Sequence, residues 1–525
     1  MTGPSPKSET VTATGNEVAT LAAVQALVRS RLGIDPRALG AFRIGLGLVI
    51  LFDLLALRGP GLVTFYTDAG ILPRSALEEL SPTLARWSLH ALSGSVWVQA
   101  LLFAITGAFA ACLLVGYRHR LAAIGSALLL TSLYARNPYL VNGGDTILIS
   151  LLIFATLLPL DARWAIRPRR RENHSIRKSR DDPRVVSTAT VILLSHVVVI
   201  YAINAVLKFR SDEWLSGIAV QRIFRLKSFT DYLGPTVAEY PTLLTAINWL
   251  WIAVLSSAVL LVLATGRLRT ATVAAYVGAH LSMAVTMRLG IFPFVMVTAV
   301  LVFLPPPVWD RLEHLASATG LAHRLGALAT SGGVDRTDGT ERPSAPSRGE
   351  RTEAGPASST SVISPRVRRG TRLTASVLLV CVFLAAASWQ VTAAGLVDTP
   401  GAGDDSVLES ASWAFFAPNP PDTDSWYVVE ATDASGESTD LIHGGSATFD
   451  GPPDAADRYS STLWDRYGRK GQGAGDPALE SAGAYFCEQA PDGVESVTIY
   501  RVDQSVDADG PVGEPTPHEL IVSQC

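Results

Sequence analysis

Ser195-His196-Val197-Val198-Val199-Ile200-Tyr201-Ala202-Ile203-Asn204-Ala205-Val206-Leu207-Lys208-Phe209 closes an apolar segment that begins at Ser187. Read as one helix, the segment is long enough to cross a bilayer. It nevertheless carries a histidine, an asparagine and a lysine. Successive helical residues turn by about 100°, so Asn204 and Lys208 share nearly one face, while His196 lies two turns back and is rotated by roughly 80°. Polar groups at membrane depth must face protein or water. Two readings of Lys208 follow. It is either an interfacial anchor whose head group reaches the membrane edge, or a member of a polar site.

The totals support a membrane setting. Of the 525 residues, 48% are hydrophobic and 17% charged, with mean hydropathy +0.28. That is too apolar for an ordinary soluble chain of this length. A formal net charge of -4 leaves no basic excess to attract nucleic acid. The four cysteines divide between apolar runs (Cys112, Cys381) and the polar C-terminal part (Cys487, Cys525), and no spacing suits a metal. Met1 to Glu17 is polar and lacks an apolar core, so the first span is expected to direct insertion itself.

Outward from Ser187 to Leu207, eight further segments read as spans: Ala38 to Leu57, Ser95 to Val115, Leu121 to Ala135, Asp145 to Leu160, Leu243 to Thr265, Thr270 to Arg288, Ile291 to Leu304 and Leu373 to Leu396. The fold class is thus a polytopic α-helical membrane bundle of about nine transmembrane helices, followed by a small external α+β domain. The loop Asp161 to Arg184 is the most basic of the chain, and Arg267, Arg269, Arg366, Arg368 and Arg369 lie in other loops on the same side. By the positive-inside rule these loops and the N-terminus are cytoplasmic and the C-terminal domain is external. The expected divisions are a disordered N-terminus at 1–17, a helical membrane domain at 18–310, a disordered cytoplasmic linker at 311–370, a last span at 371–398 and the soluble domain at 399–525. Val18 to Leu32 reads as an amphipathic surface helix. In the last domain, Trp426 to Ala431, Thr439 to His443, Ser496 to Val502 and Glu519 to Ser523 read as strands. Cys487 and Cys525 there form a disulfide if their Cα atoms lie within about 7 Å.

His280 shares a helical face with Met283 and Met287, a stripe that suits either interior packing or a pocket wall. Asp145, with Thr146, reads as a helix N-cap, with a pocket role second. Arg43 and Asp53, too far apart to pair along one helix, are expected to pair with other spans. Polar groups in a bundle favour convergence on shared partners. The expectation is one pocket that gathers Asn142, Asp145, His196, Asn204, Lys208 and His280 at the external half of the membrane.

Several signatures align in order: Phe65-Tyr66-Thr67-Asp68-Ala69-Gly70-Ile71-Leu72-Pro73, Asn142-Gly143-Gly144-Asp145, Lys208 followed by Trp214 and Gly217, His280, and Trp413-Ala414-Phe415-Phe416-Ala417-Pro418-Asn419-Pro420. Together they resemble the HTTM (horizontally transferred transmembrane) family, related to animal vitamin K-dependent gamma-carboxylase. The resemblance covers about residues 35 to 310 and 373 to 500. It implies an enzyme that uses a reduced isoprenoid quinone, with Lys208 as the catalytic base and oxygen converting the quinol to an epoxide. Asn142, Asp145, His196, Asn204 and His280 would then hold the quinone. The animal proteins carry two adjacent lysines where this chain has Lys208-Phe209, and a histidine after paired asparagines in the region of Asn142-Gly143-Gly144-Asp145, where this chain has none. The chemistry asked of Lys208 also stands on physical grounds: desolvation penalises an ammonium, and a neutral amine acts as a general base near neutral pH. Two function classes follow, a quinol-dependent oxygenase or carboxylase-like lyase in the bilayer, and a non-catalytic membrane scaffold whose external domain recognises a protein partner.

Overall fold

The computed structural model describes residues 9–166, 183–319, 365–393, 395, 413, 415–451, 459–469 and 477–525. The chain divides into two units, one of Met1–Pro305 with Phe383–Cys525 and one of Pro306–Val382. The principal helices of the first unit are α1 (Glu9–Leu32), α2 (Pro36–Phe52), α3 (Val96–Val115), α4 (His119–Arg136), α5 (Gly143–Ala155), α6 (Thr188–Lys208), α7 (Pro241–Ser256), α8 (Gly266–Thr286) and α9 (Phe292–Val300). The second unit holds α10 (Pro306–Ala318) and the first part of α11 (Pro365–Ala393). In the C-terminal part, α12 (Thr462–Arg469) and α13 (Pro477–Gln489) accompany a four-stranded sheet.

Local chemistry sets the helix starts. Asp35 caps α2, accepting from Arg37 N at 2.8 Å, and Pro36 occupies the first helical position, where no N–H is needed. Ser187 and Thr190 form a capping box at the start of α6. At α5 the cap is Asn142 rather than Asp145. Asn142 Oδ1 accepts from Gly144 N and Asp145 N, and Asp145 returns the bond to Asn142 N at 2.9 Å. The helix therefore begins two residues earlier than the sequence suggests. A π-helical turn over Asp53–Arg58 continues α2. Its wider winding brings residues five apart onto neighbouring faces, and Arg58 Nε bonds Asp53 Oδ2 at 2.7 Å. Asp53 thus pairs within its own helix instead of with another span. Arg43 donates to the carbonyls of Leu160, Leu113, Leu114 and Trp164, collecting carbonyls from the ends of two neighbouring segments.

Among the described residues, four helices are long and apolar enough to cross a membrane: Pro36–Arg58, Val96–Val115, Thr188–Lys208 and Pro241–Leu263. The count reaches five if Phe292–Phe303 with Pro306–Ala318 is taken as one span. Nine spans are therefore not established. The remaining segments are helical but fall short for physical reasons. α5 has 13 residues, about 20 Å of rise. α4 and α8 carry arginines, among them Arg120, Arg136, Arg267 and Arg269. α1 starts at Glu9 rather than Val18, and α10 continues to Ala318, past the expected boundary at 310. The basic loop at 167–182 and the expected linker at 320–364 lie outside the described residues.

Strands β1 (Thr423–Asp433), β2 (Ser438–Asp440), β3 (Val494–Val506) and β4 (Pro511–Gln524) form an antiparallel sheet of order β2-β1-β3-β4. Trp426 opposes Val502 across β1 and β3, and these two with Val428 form a buried apolar cluster. Three of the expected strands are present, with β4 extending well before Glu519; of the expected strand Thr439 to His443 only Thr439 and Asp440 lie in β2, and Leu441 to His443 form a turn. Cys487 and Cys525 are joined by a disulfide, with Cα atoms 5.3 Å apart.

His90 sits at the foot of α3 with no exposed surface, and its Nδ1 lies 2.9 Å from Ser132 Oγ. Burial pushes its pKa down to about 4. The unfolded chain takes up this proton near pH 6.5 and the folded chain does not, so stability falls as pH drops from about 6.5 toward 4. The loss is expected to reach up to about 3 kcal/mol. Unfolding midpoints in detergent should show this slope in the wild type and a flatter one in His90→Gln. Equal slopes would rule out the assignment.

Candidate functional site

Three side chains on one face of α6, Tyr201, Asn204 and Lys208, follow at spacings of three and four residues and are all buried. Lys208 Nζ donates to the Phe415 carbonyl at 2.8 Å and lies over the Trp214 ring at 4.3 Å. Asn204 Nδ2 donates to the carbonyls of Trp413 (2.5 Å) and Ile200 (3.0 Å). Trp214 Nε1 donates to the Phe416 carbonyl at 2.9 Å. The carbonyls of Trp413, Phe415 and Phe416 are therefore each held by a different side chain. Trp214 is itself fixed through its own carbonyl, which accepts from Asn248 Nδ2 at 2.9 Å. Among the described residues no carboxylate pairs with Lys208.

This arrangement forms one end of a cavity of about 1090 Å³. Its walls are largely apolar, from α7, α8 and α9, with Met283, Met287 and Met296 among them. Phe415 and Phe416 cover it, together with Arg466, Arg469 and Arg501 from the C-terminal part. Neither aspartate nor glutamate is among the lining residues. His280 is fully buried on the wall, its Nδ1 2.8 Å from the Tyr276 carbonyl and its Nε2 without a hydrogen-bond partner. Among the described residues Tyr201 Oη also lacks a partner, and its ring centre lies 5.9 Å from that of His280.

Of the six residues expected to converge, Asn142, Asn204, Lys208 and His280 line the cavity, and Asp145 and His196 do not. His196 turns toward α5, where its Nε2 lies 2.8 Å from Ser150 Oγ and its ring packs edge-on against Phe154 and Trp413. Asp145 is consumed by two arginines. Arg58 Nη2 bonds one carboxylate oxygen at 2.9 Å and Arg466 Nη1 the other at 3.2 Å. Arg58 also donates to Tyr66 Oη at 2.7 Å, and Arg466 to the Leu140 carbonyl at 3.0 Å.

The sequence reading missed Tyr201, Arg58 and Arg466. Tyr201 was findable, since it continues the Asn204 and Lys208 face one turn further in. Arg466 was not, because its partner lies 321 residues away. On α12, burial raises the Asp465 carboxyl above the usual carboxylate range, with Arg469 opposing the shift through an ion pair at 2.7 Å.

Removing one partner from a buried ion pair leaves the other charge uncompensated, at a cost of about 3–5 kcal/mol. Asp145→Ala should therefore destabilise the protein by about that much, read as a loss of thermal stability in detergent. Asp145→Ala combined with Arg466→Met should cost less than the sum of the two changes. Strict additivity would show that the pair is not coupled.

The HTTM domain model matches residues 32–309, more than half of the chain. No curated protein and no solved structure matches it.

Proposed function

The chain belongs to the HTTM domain family, and from that premise we propose that it is a multi-pass membrane enzyme that acts on a reduced isoprenoid quinone, with Lys208 as base. The observation that carries this reading is the cavity: about 1090 Å³, largely apolar along its walls, and polar where Lys208 and Asn204 meet it and where Arg288, Arg466, Arg469 and Arg501 line it. Such a shape suits an aromatic head and the start of an isoprenoid tail. When bound, a reduced quinone would supply the electron-rich ring that oxygen oxidises. The residues would do the rest. The Lys208 amine would take a hydroxyl proton at Nζ, and the Trp214 face and the Phe415 carbonyl would stabilise the ammonium so formed. Asn142 and Asn204 would orient the head group, with His280 on the facing wall. Asp145 and His196 would act behind the wall, Asp145 through Arg466 and His196 through Trp413.

One observation favours a second reading, a membrane scaffold whose C-terminal domain recognises a protein partner. Lys208, Asn204 and Trp214 each hold a backbone carbonyl of the Trp413 to Phe416 stretch. That is what a docking clamp requires, with no chemistry implied. Lys208→Met separates the two. The enzyme reading expects quinol turnover to be abolished, with thermal stability and retained lipid close to wild type. The scaffold reading expects loosened docking, seen as faster proteolysis of the C-terminal part, and no quinol turnover in the wild type either. Wild-type turnover that survives in Lys208→Met would remove the base assignment.

For topology we propose about nine crossings, with the N-terminus cytoplasmic and the sheet domain external. The distribution of arginine among the loops supports this. A cysteine placed at Ala434, on an exposed turn of the sheet, should react with a membrane-impermeant maleimide in intact cells. One placed within 331–365 should react only after permeabilisation. The reverse pattern would invert the orientation.

A further inference from the structure

His280 has no exposed surface, and its Nδ1 lies 2.8 Å from a carbonyl oxygen, which only accepts. Nδ1 is therefore the protonated nitrogen, and in the neutral ring the lone pair sits on Nε2. That nitrogen has no partner among the described residues. A buried acceptor left unpaired is costly, and His280 lines the cavity. Beside it, Tyr201 Oη is equally buried and unpaired, and Tyr201 also lines the cavity. Tyr201 stands two helical turns from Lys208 on the same face of α6, about 10.5 Å along the axis. The cavity therefore has a second polar point, well away from Lys208, which offers one acceptor and one hydroxyl.

The same cavity has an open side. Leu250 of α7 is 63% exposed although it lines the cavity. On α8, Ala275, Gly278 and Ser282 line it and are exposed as well. A Cβ added at Gly278 would meet nothing within 4 Å. The opening is flanked by a small-residue stripe on α8 and by leucine on α7.

We infer that the cavity takes a ligand whose hydroxyl donates to His280 Nε2 while accepting from Tyr201, and whose apolar tail passes between α7 and α8 into the bilayer. This rests on the quinol reading and adds the residues that recognise the hydroxyl and the route of entry. A quinol satisfies both atoms, since its hydroxyl donates and accepts. The oxidised quinone satisfies Tyr201 alone, and its carbonyl oxygen meets the His280 lone pair without a proton between them. Tyr201 and His280 thereby select the reduced form. Oxidation removes the hydrogen that His280 accepts and so weakens retention of the product.

The test uses the full-length protein in detergent with two probes, a decyl-substituted benzoquinol and its dimethyl ether, which has no hydroxyl hydrogen. The wild type should bind the quinol about tenfold or more tightly than the ether, the effect of leaving a buried acceptor unpaired. His280→Phe should bring the two probes to near parity. Gly278→Leu should weaken both probes alike by filling the opening, with a thermal midpoint near the wild-type value as the folding control. Equal wild-type affinity for the two probes would overturn the inference while leaving the quinol reading standing. Wild-type binding retained in Gly278→Leu would overturn the entry route. A wild type that binds neither probe would bring down the quinol reading together with this one.

Discussion

A buried ammonium or amine that meets a carbonyl in place of a carboxylate is the interaction on which the rest of this site depends. Lys208 ends the most polar-marked helix of the bundle and bonds Phe415, from a stretch 207 residues later in the chain. Lysine is among the residues least often fully buried without a charged partner. Here an aromatic face and a carbonyl take the partner's place. Because Asn204 and Trp214 hold the carbonyls of Trp413 and Phe416, three carbonyls in this part of the chain are fixed, those of Trp413, Phe415 and Phe416. Phe415 and Phe416 therefore cover the cavity as a defined surface instead of a loose strap, and Phe416 packs against the apolar cluster around Trp214 and Ile223.

A second set of buried charges works differently. Asp53, Arg58, Asp145 and Arg466 alternate in sign, and their side chains are at most 3% exposed. Ion pairs of this kind contribute little net stability compared with apolar packing, but breaking one is expensive. Their effect is to fix which surfaces meet. Gly290 shows how tight the fit is, since a Cβ there would collide with Arg466 Nη2. Its φ of +61° also suits glycine. The short turn between α8 and α9 thus has glycine for two reasons, one of them the arginine from α12.

Much of the architecture was legible because it depends on local pattern. Long apolar runs and the strands of the last domain appear near where sequence periodicity places them, whereas the cap expected at Asp145 is Asn142. The number of spans was less legible, because length and apolarity do not separate a crossing helix from a short or arginine-bearing one packed inside a bundle. The π-helical turn at Asp53 had no sequence signal of its own. Within the site, the residues of one helix face could be grouped correctly by angle alone. Asp145 and His196 show the limit of that method. Polarity at membrane depth says that a partner exists, and it does not say whether the partner is a ligand, an arginine or a serine on the next helix.

The clamp and the base are often set against each other as roles for one lysine, yet the geometry of an amine allows both. A neutral amine has two N–H bonds and one lone pair. Donation to Phe415 uses one N–H and fixes the direction of the remaining groups without occupying the lone pair. The Trp214 face, in contrast, attracts charge more strongly than a neutral group. If Lys208 is the base proposed above, the carbonyl would orient it before a proton arrives and the ring would favour it afterwards. Each contact acts most strongly on a different side of the transfer. An anchoring ammonium would use the same two contacts, so what a base requires beyond anchoring is the lone pair that donation to Phe415 leaves free.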